Sequence, residues 1–174
     1  MLVPTSCREP LMMAVSPSDD SLDGATAPSS DGSTAIVGRW SDDVSANTDQ
    51  GSAQVFVQDG GNWTQRGAAL TASDGQAEDL FGWSVALSSD GLTAIVGGPG
   101  ADVGGHADQG SARVLAWDGG EWTQRGDALT FGEGGSADHL GSSVALSSDG
   151  LTATVGAGGD TAPLVLHWDG FHWL

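Results

Sequence analysis

Three short blocks of this chain recur at one fixed spacing, and that spacing restricts the fold more than anything else in the sequence. SSDG occurs at 29–32, 88–91 and 147–150, so both intervals are 59 residues (88 − 29 and 147 − 88). DQGSA at 49–53 recurs at 108–112, and WTQRG at 63–67 recurs at 122–126, again 59 apart (108 − 49 and 122 − 63). Independent blocks in one register define tandem units, each of which buries its apolar face only by packing on its neighbours. The register divides the chain into an irregular tail at 1–10, a first repeat at 11–69, a second at 70–128 and a third at 129–174.

The second repeat is complete and predicts four short strands. Residues 84–88 and 92–97 are β-prone runs joined by Ser89, Asp90 and Gly91, and the Asp-Gly dipeptide predicts a type I′ hairpin turn. Residues 111–117 and 121–125 predict a second hairpin across Asp118, Gly119 and Gly120. Alternation puts Val85 and Leu87 on one face and Ser84, Ala86 and Ser88 on the other, a pattern suited to a sheet packed closely through small residues. The expected core of this unit is Val85, Leu87, Ile95, Val96, Val114 and Trp122, and Trp122→Ala is expected to cost about 3–5 kcal/mol. No segment has a 3.6-residue apolar period, so almost no helix is expected.

The flanking repeats are degenerate. Repeat one has Ala25, Thr26, Ala27 and Pro28 where repeat two has Ser84, Val85, Ala86 and Leu87, which weakens its first strand. In repeat three, 14 positions separate Val155 from Asp169, against 22 from Val96 to Asp118, a deletion of eight that removes the DQGSA block. The fold class is therefore all-β: an incomplete array of about three four-stranded units, propeller blades or layers of a stacked β array, open or a fragment. Open ends expose strand edges and predict self-association or partial disorder in repeats one and three.

Lysine is absent, and five arginines face 23 acidic residues for a formal charge of -18. Such a chain repels phosphate backbones and anionic membranes, which excludes a nucleic-acid partner. Cys7 is the lone cysteine, so no intrachain disulfide or cysteine metal cluster forms. The 11–15 apolar run is too short for a signal peptide's hydrophobic region, and no window approaches the ~20 apolar residues of a membrane span.

Phe81-Gly82, followed by Trp83-Ser84-Val85-Ala86 and then Val96-Gly97-Gly98-Pro99, resembles the Phe-Gly and Gly-Ala-Pro landmarks of the FG-GAP repeat family, with Gly98 in place of the alanine. The likeness covers about residues 29–174, and only repeat two carries most of the signature: repeat three has Leu140-Gly141 and Gly156-Ala157-Gly158, and repeat one has Gly38-Arg39-Trp40. The resemblance implies a β-propeller of the kind at the head of integrin α subunits, presenting loops to protein or glycan ligands, and by that implication alone an extracellular or surface location.

Calcium is the family chemistry to weigh first. A calcium ion takes six to eight oxygens, whereas the place between the landmarks holds a short turn with one carboxylate, Asp90, so no metal site is carried over and no cofactor is expected. Calcium is expected to raise the melting temperature no more than sodium at equal ionic strength. A single GGxGxD match at 97–102 reads as a Gly-rich loop. Asp74 and Asp79 could flank a surface cation, or bond their own turn's backbone. His106, His139, His167 and His172 lack zinc-like spacing. Ser84 in Gly82-Trp83-Ser84-Val85-Ala86 lacks the final glycine and the following helix of a nucleophile elbow, so it reads as structural. Trp63 and Trp122 share one register, with Trp173 near the equivalent place, as packing aromatics. Asn62-Trp63-Thr64 is a glycosylation sequon, relevant only in a eukaryotic secretory route.

The expected function is a non-catalytic module for protein or carbohydrate binding, with Pro99, Asp102, His106, Asp108 and Gln109 of the 99–109 loop as ligand contacts. The alternatives are spacer repeats of a larger surface protein, or a hydrolase with an acidic site in a propeller channel.

Overall fold

The computed structural model describes residues 24–132, 134–158 and 161–174. The 1–10 tail, Cys7 and the start of repeat one lie outside the described residues.

Among the described residues there is no helix, and eleven strands form three antiparallel sheets. The first sheet holds β1 (Thr26–Pro28), β2 (Thr34–Arg39), β3 (Ser52–Asp59) and β4 (Asn62–Gln65), paired in chain order. The second holds β5 (Ser84–Leu87), β6 (Thr93–Gly98), β7 (Ser111–Trp117) and β8 (Trp122–Gln124), and the third β9 (Ser143–Leu146), β10 (Thr152–Gly156) and β11 (Leu164–His167). The first strands of successive sheets lie side by side, β1 against β5 and β5 against β9. The sheets thus stack as successive blades, each with its leading strand innermost.

Two expectations about strands need correction. The doubtful first strand of repeat one forms: Thr26 pairs with Val37 and Pro28 with Ala35. Strand β1 sits at the edge of its sheet, where a proline's missing N–H breaks no ladder. The third sheet has three strands, and an isolated bridge between Trp168 and Trp173 stands where β8 lies in the second. The deletion fell on the loop between β10 and β11, leaving both strands paired from Thr152↔His167 to Val155↔Leu164.

The SSDG turn is not type I′ either. Gly91 is left-handed at φ 67 but Asp90 is not; the Gly91 amide bonds the Ser88 carbonyl at 3.0 Å in a turn that the glycine then closes. The Ser88 hydroxyl donates to Asp90 Oδ1 at 2.6 Å and accepts the Thr93 amide at 2.9 Å. Ser29 with Asp31 and Ser147 with Asp149 repeat this at 2.7 and 2.6 Å, which explains why the tetrapeptide recurs.

The second sheet buries alternate residues toward opposite neighbours. Ile36, Ala53 and Val55 of the first sheet meet Val85, Ala94, Val96 and Leu115 of the second. On the other side, Ile95, Ala112 and Val114 meet Ala153 and Val155 of the third. Val85, Ile95, Val96 and Val114 are buried as expected, but Leu87 and Trp122 are only half-buried. Leu87 ends its strand beside the turn. Trp122 is on an outer strand, where its indole N–H donates to the Arg66 carbonyl at 3.0 Å and its ring packs 5.6 Å from that of Trp117. Arg66 lies over the Trp117 ring, and Arg125 repeats the latch on Trp168 and Trp173 across the next seam. Truncating Trp122 therefore removes a seam latch, at a cost below that of a fully enclosed tryptophan.

The landmark glycines meet across the seams. A Cβ on Gly38 would lie 2.0 Å from the Gly82 carbonyl oxygen, and one on Gly97 2.2 Å from that of Gly141. The Ser84 hydroxyl donates to the same Gly141 oxygen at 2.7 Å. The glycine after Phe81 or Leu140 in one unit thus presses its carbonyl onto a strand glycine of the unit before, an approach that no side chain permits.

Candidate functional site

The two connections from the fourth strand of one sheet to the first of the next, and the loops between β2 and β3 and between β6 and β7, emerge at the same edge of the stack. At that edge, where the chain crosses the seam from the first sheet to the second, a cleft of about 250 Å³ opens between the crossing segment and the second sheet. One wall is the 72–81 segment, with Asp74, Gln76 and Asp79. The other is the start of the 99–110 loop and of β7, with Asp102, Ser111 and Arg113. Ala72 and Phe81 form the floor, continuous with the core between the sheets.

Arg113 organises the walls. Its side chain is 9% exposed; Nη1 donates to Gln124 Oε1 at 2.9 Å and Nη2 pairs with Asp74, while buried Nε has no acceptor. Hydrogen bonding from Arg113 holds the Asp74 carboxyl below its ordinary range. Asp74 is largely exposed, so the pair itself stabilises by only about 0–1 kcal/mol, whereas stripping the partner from a buried guanidinium costs more. Asp79 is buried, and Oδ2 accepts the Gln76 amide at 2.7 Å. Burial pushes its carboxyl up, the Gln76 amide opposes, and the charges of Asp102 and Asp74 push further. Asp79 takes the local-backbone reading through the Gln76 amide, and Asp74 pairs with Arg113.

The 99–110 loop is built by its backbone. Val103 and His106 exchange N–H···O bonds of 3.1 and 3.0 Å, and Asp102 Oδ1 accepts the amide of Asp108, which is left-handed at φ 52. In the first repeat Val44, Asn47, Asp43 and left-handed Asp49 reproduce this, so the loop shape belongs to the repeat. Of the five expected contact residues, Asp102 lines the cleft, and His106 and Asp108 stand exposed beside it. Pro99 and Gln109 are buried. The Pro99 carbonyl faces His139 Nδ1 at 3.3 Å. Gln109 occupies the place of Gln50, whose Oε1 accepts from Asn47 at 2.8 Å; His106 replaces Asn47, and Gln109 Oε1 is left without a donor.

Sequence reasoning missed Arg113, Gln76, Ser111 and Thr130, all of which line the cleft. A signal for Arg113 existed: it interrupts the matched DQGSA block's continuation where the first repeat has Gln54 (113 − 54 = 59). Ser84 is buried in the seam as a structural group. His167 Nδ1 lies 3.3 Å from the Thr152 hydroxyl. Among the described residues no three His, Cys, Asp or Glu side chains converge as a metal ion would require, and no helix is long and apolar enough to cross a membrane.

Stacked antiparallel sheets of four, four and three strands, with the connections between them at one edge, form a β-propeller-type array. Residues 63–115, from within β4 into β7, match the FG-GAP repeat. Its fold is similar to that of a provisionally assigned 6-phosphogluconolactonase of Bacteroides fragilis, at 14% identity and a TM-score of 0.57, covering 86% of this chain and 36% of that one. Similar likenesses extend to Kuenenia stuttgartiensis hydrazine synthase, at 17% identity and TM-score 0.52 over 86% and 33%, and to a provisionally assigned 6-phosphogluconolactonase of Bacteroides uniformis, at 15% and 0.53 over 86% and 37%. This chain spans about a third of the length of those proteins, and at such identities the likeness carries the fold alone. No curated protein matches it in sequence.

Proposed function

We propose that this chain is a non-catalytic binding module whose loop edge contacts a protein or carbohydrate partner. The observation that carries this reading is the polar cleft between the crossing segment and the second sheet, flanked by the exposed His106 and Asp108. A concave site with a few convergent polar groups over an apolar floor is the usual form of a recognition site. Its groups are suited to holding a partner: Arg113 is already bonded to Asp74 and Gln124, and Ser84, the serine nearest to a nucleophile motif, is spent on the Gly141 carbonyl. The acidic chain disfavours anionic partners.

The test is binding of the immobilised full chain to arrays of glycans and of glycoproteins. The double variant His106→Ala, Asp108→Asn is expected to weaken binding about tenfold, roughly the loss of one or two net hydrogen bonds. Asp118→Asn, in a turn at the opposite edge, is expected to leave it unchanged. Absence of any ligand, or equal effects at both edges, would remove the reading.

A further inference from the structure

The cleft presents a mixed set of groups whose chemistry narrows the ligand further. Arg113, nine-tenths buried on one wall, carries a Nε with no acceptor, and buried Asp79 on the other uses Oδ2 for the Gln76 amide, with no donor described for Oδ1. An apolar ligand would cover the Asp79 and Asp102 carboxyls and the Ser111 hydroxyl without bonding them, which is unfavourable. An anion would meet Asp74, Asp79 and Asp102 around a guanidinium already neutralised by Asp74. A bare metal ion lacks a converging set of ligands among the described residues.

A neutral ligand carrying donors and acceptors on adjacent carbons satisfies every constraint. From the cleft's geometry and donor set we propose that it binds the vicinal hydroxyls of a single sugar ring. One hydroxyl donates to Asp79, and its neighbour accepts from Arg113 or from the Ser111 hydroxyl, both at the start of β7. The floor of Ala72 and Phe81 receives the ring's C–H face. At about 250 Å³ the cleft holds one ring, and further residues of an oligosaccharide pass over the 99–109 loop beside His106. This deepens, and rests on, the binding-module reading.

The experiment is amide and arginine-side-chain NMR of the ¹⁵N-labelled full chain, titrated with glucose, galactose, mannose and N-acetylglucosamine. Acyclic sorbitol and methylguanidinium serve as comparison probes. Titration runs to ~50 mM, because one ring of this size binds with dissociation constants on the order of millimolar. At least one sugar is expected to shift the Arg113 Nε–H and the Gly98 and Ser111 amides saturably. Asp79→Asn is expected to weaken that binding about tenfold. Should Asp79→Asn fail to fold, Ser111→Ala, which removes the hydroxyl placed to meet the neighbouring sugar oxygen, is expected to weaken it severalfold. Asp118→Asn leaves it intact. No shift by any sugar, shifts confined to other parts of the chain, or saturable binding of methylguanidinium alone would overturn the proposal. If glycoproteins still bind through His106 and Asp108 while the cleft stays silent, the sugar site fails and the binding-module reading stands; loss of both sinks both.

Discussion

The second and third sheets are built from matched sequences and meet different surroundings. Ile95 and Val114 are enclosed against the third sheet, whereas the residues in the same places one unit on are Thr154, half-buried, and Val165, 64% exposed. Gly97 is pressed by the Gly141 carbonyl, but Gly156, its equivalent, meets only the side chain and carbonyl of Ser143 in its own sheet. The lesson is that the repeat dictates strands and turns, while burial comes from the next unit. A residue's place in the 59-residue register predicts its neighbours within a sheet better than its contribution to stability.

Matched substitutions in the two sheets test that contrast directly. Ile95→Ala is expected to cost about 2–5 kcal/mol, the range for a large aliphatic removed from a closed core, whereas Thr154→Ala should cost under about 1 kcal/mol. Chemical denaturation measures both, and equal losses would mean that the third sheet's outer face is as enclosed as the second's. Gly97→Ala is expected to cost about 1–3 kcal/mol, since its Cβ meets backbone across the seam. Gly156→Ala needs only a rotation of the Ser143 hydroxyl and should cost a fraction of that.

A smaller effect belongs to the latch. Trp122→Phe keeps an aromatic ring but loses the bond to the Arg66 carbonyl, and a loss of about 0.5–1.5 kcal/mol is expected in the same assay.

The smallest effect is on acid stability, and it comes from the turns. The Ser33 amide, with the Ser29 and Ser33 hydroxyls, holds the Asp31 carboxyl down to about 2 from its ordinary 3.8. Ser147 does the same for Asp149, and turn amides for Asp118 and Asp169, all downward. A carboxyl with a depressed folded value stabilises the fold above its ordinary range and ceases to as pH falls through the folded value. The melting temperature is therefore expected to fall between about pH 4 and pH 2, and to fall less in Asp31→Asn. Asp79 acts oppositely: its raised value favours the protonated fold, so Asp79→Asn should remove a gain seen on acidification. A flat profile in this window would mean that the turn bonds do not persist in solution.

Much of this architecture was legible in the sequence for a physical reason. Strands and turns are local, and SSDG, DQGSA and WTQRG each encode hydrogen bonds closed within a few residues or with the adjoining unit, so they repeat visibly. The cleft was not legible, because Arg113 meets Asp74 from 39 positions away and only the path of the connector over the second sheet joins them. The 99–109 loop could be located, but which of its residues face outward depended on packing that buries Pro99 and Gln109. Leu87 and Trp122 were expected in the core because alternation gives the face of a strand and not the distance from its end.

Hydrogen exchange along the chain tests most directly whether the second sheet is enclosed between two neighbours. The account predicts slowest exchange in β6 and β7, intermediate rates in β2 and β3, and faster exchange in β10, the central strand of the third sheet, whose outer face is open. Equal protection of β6 and β10 would contradict it, and would mean that the outer face of the third sheet is covered in solution as fully as that of the second.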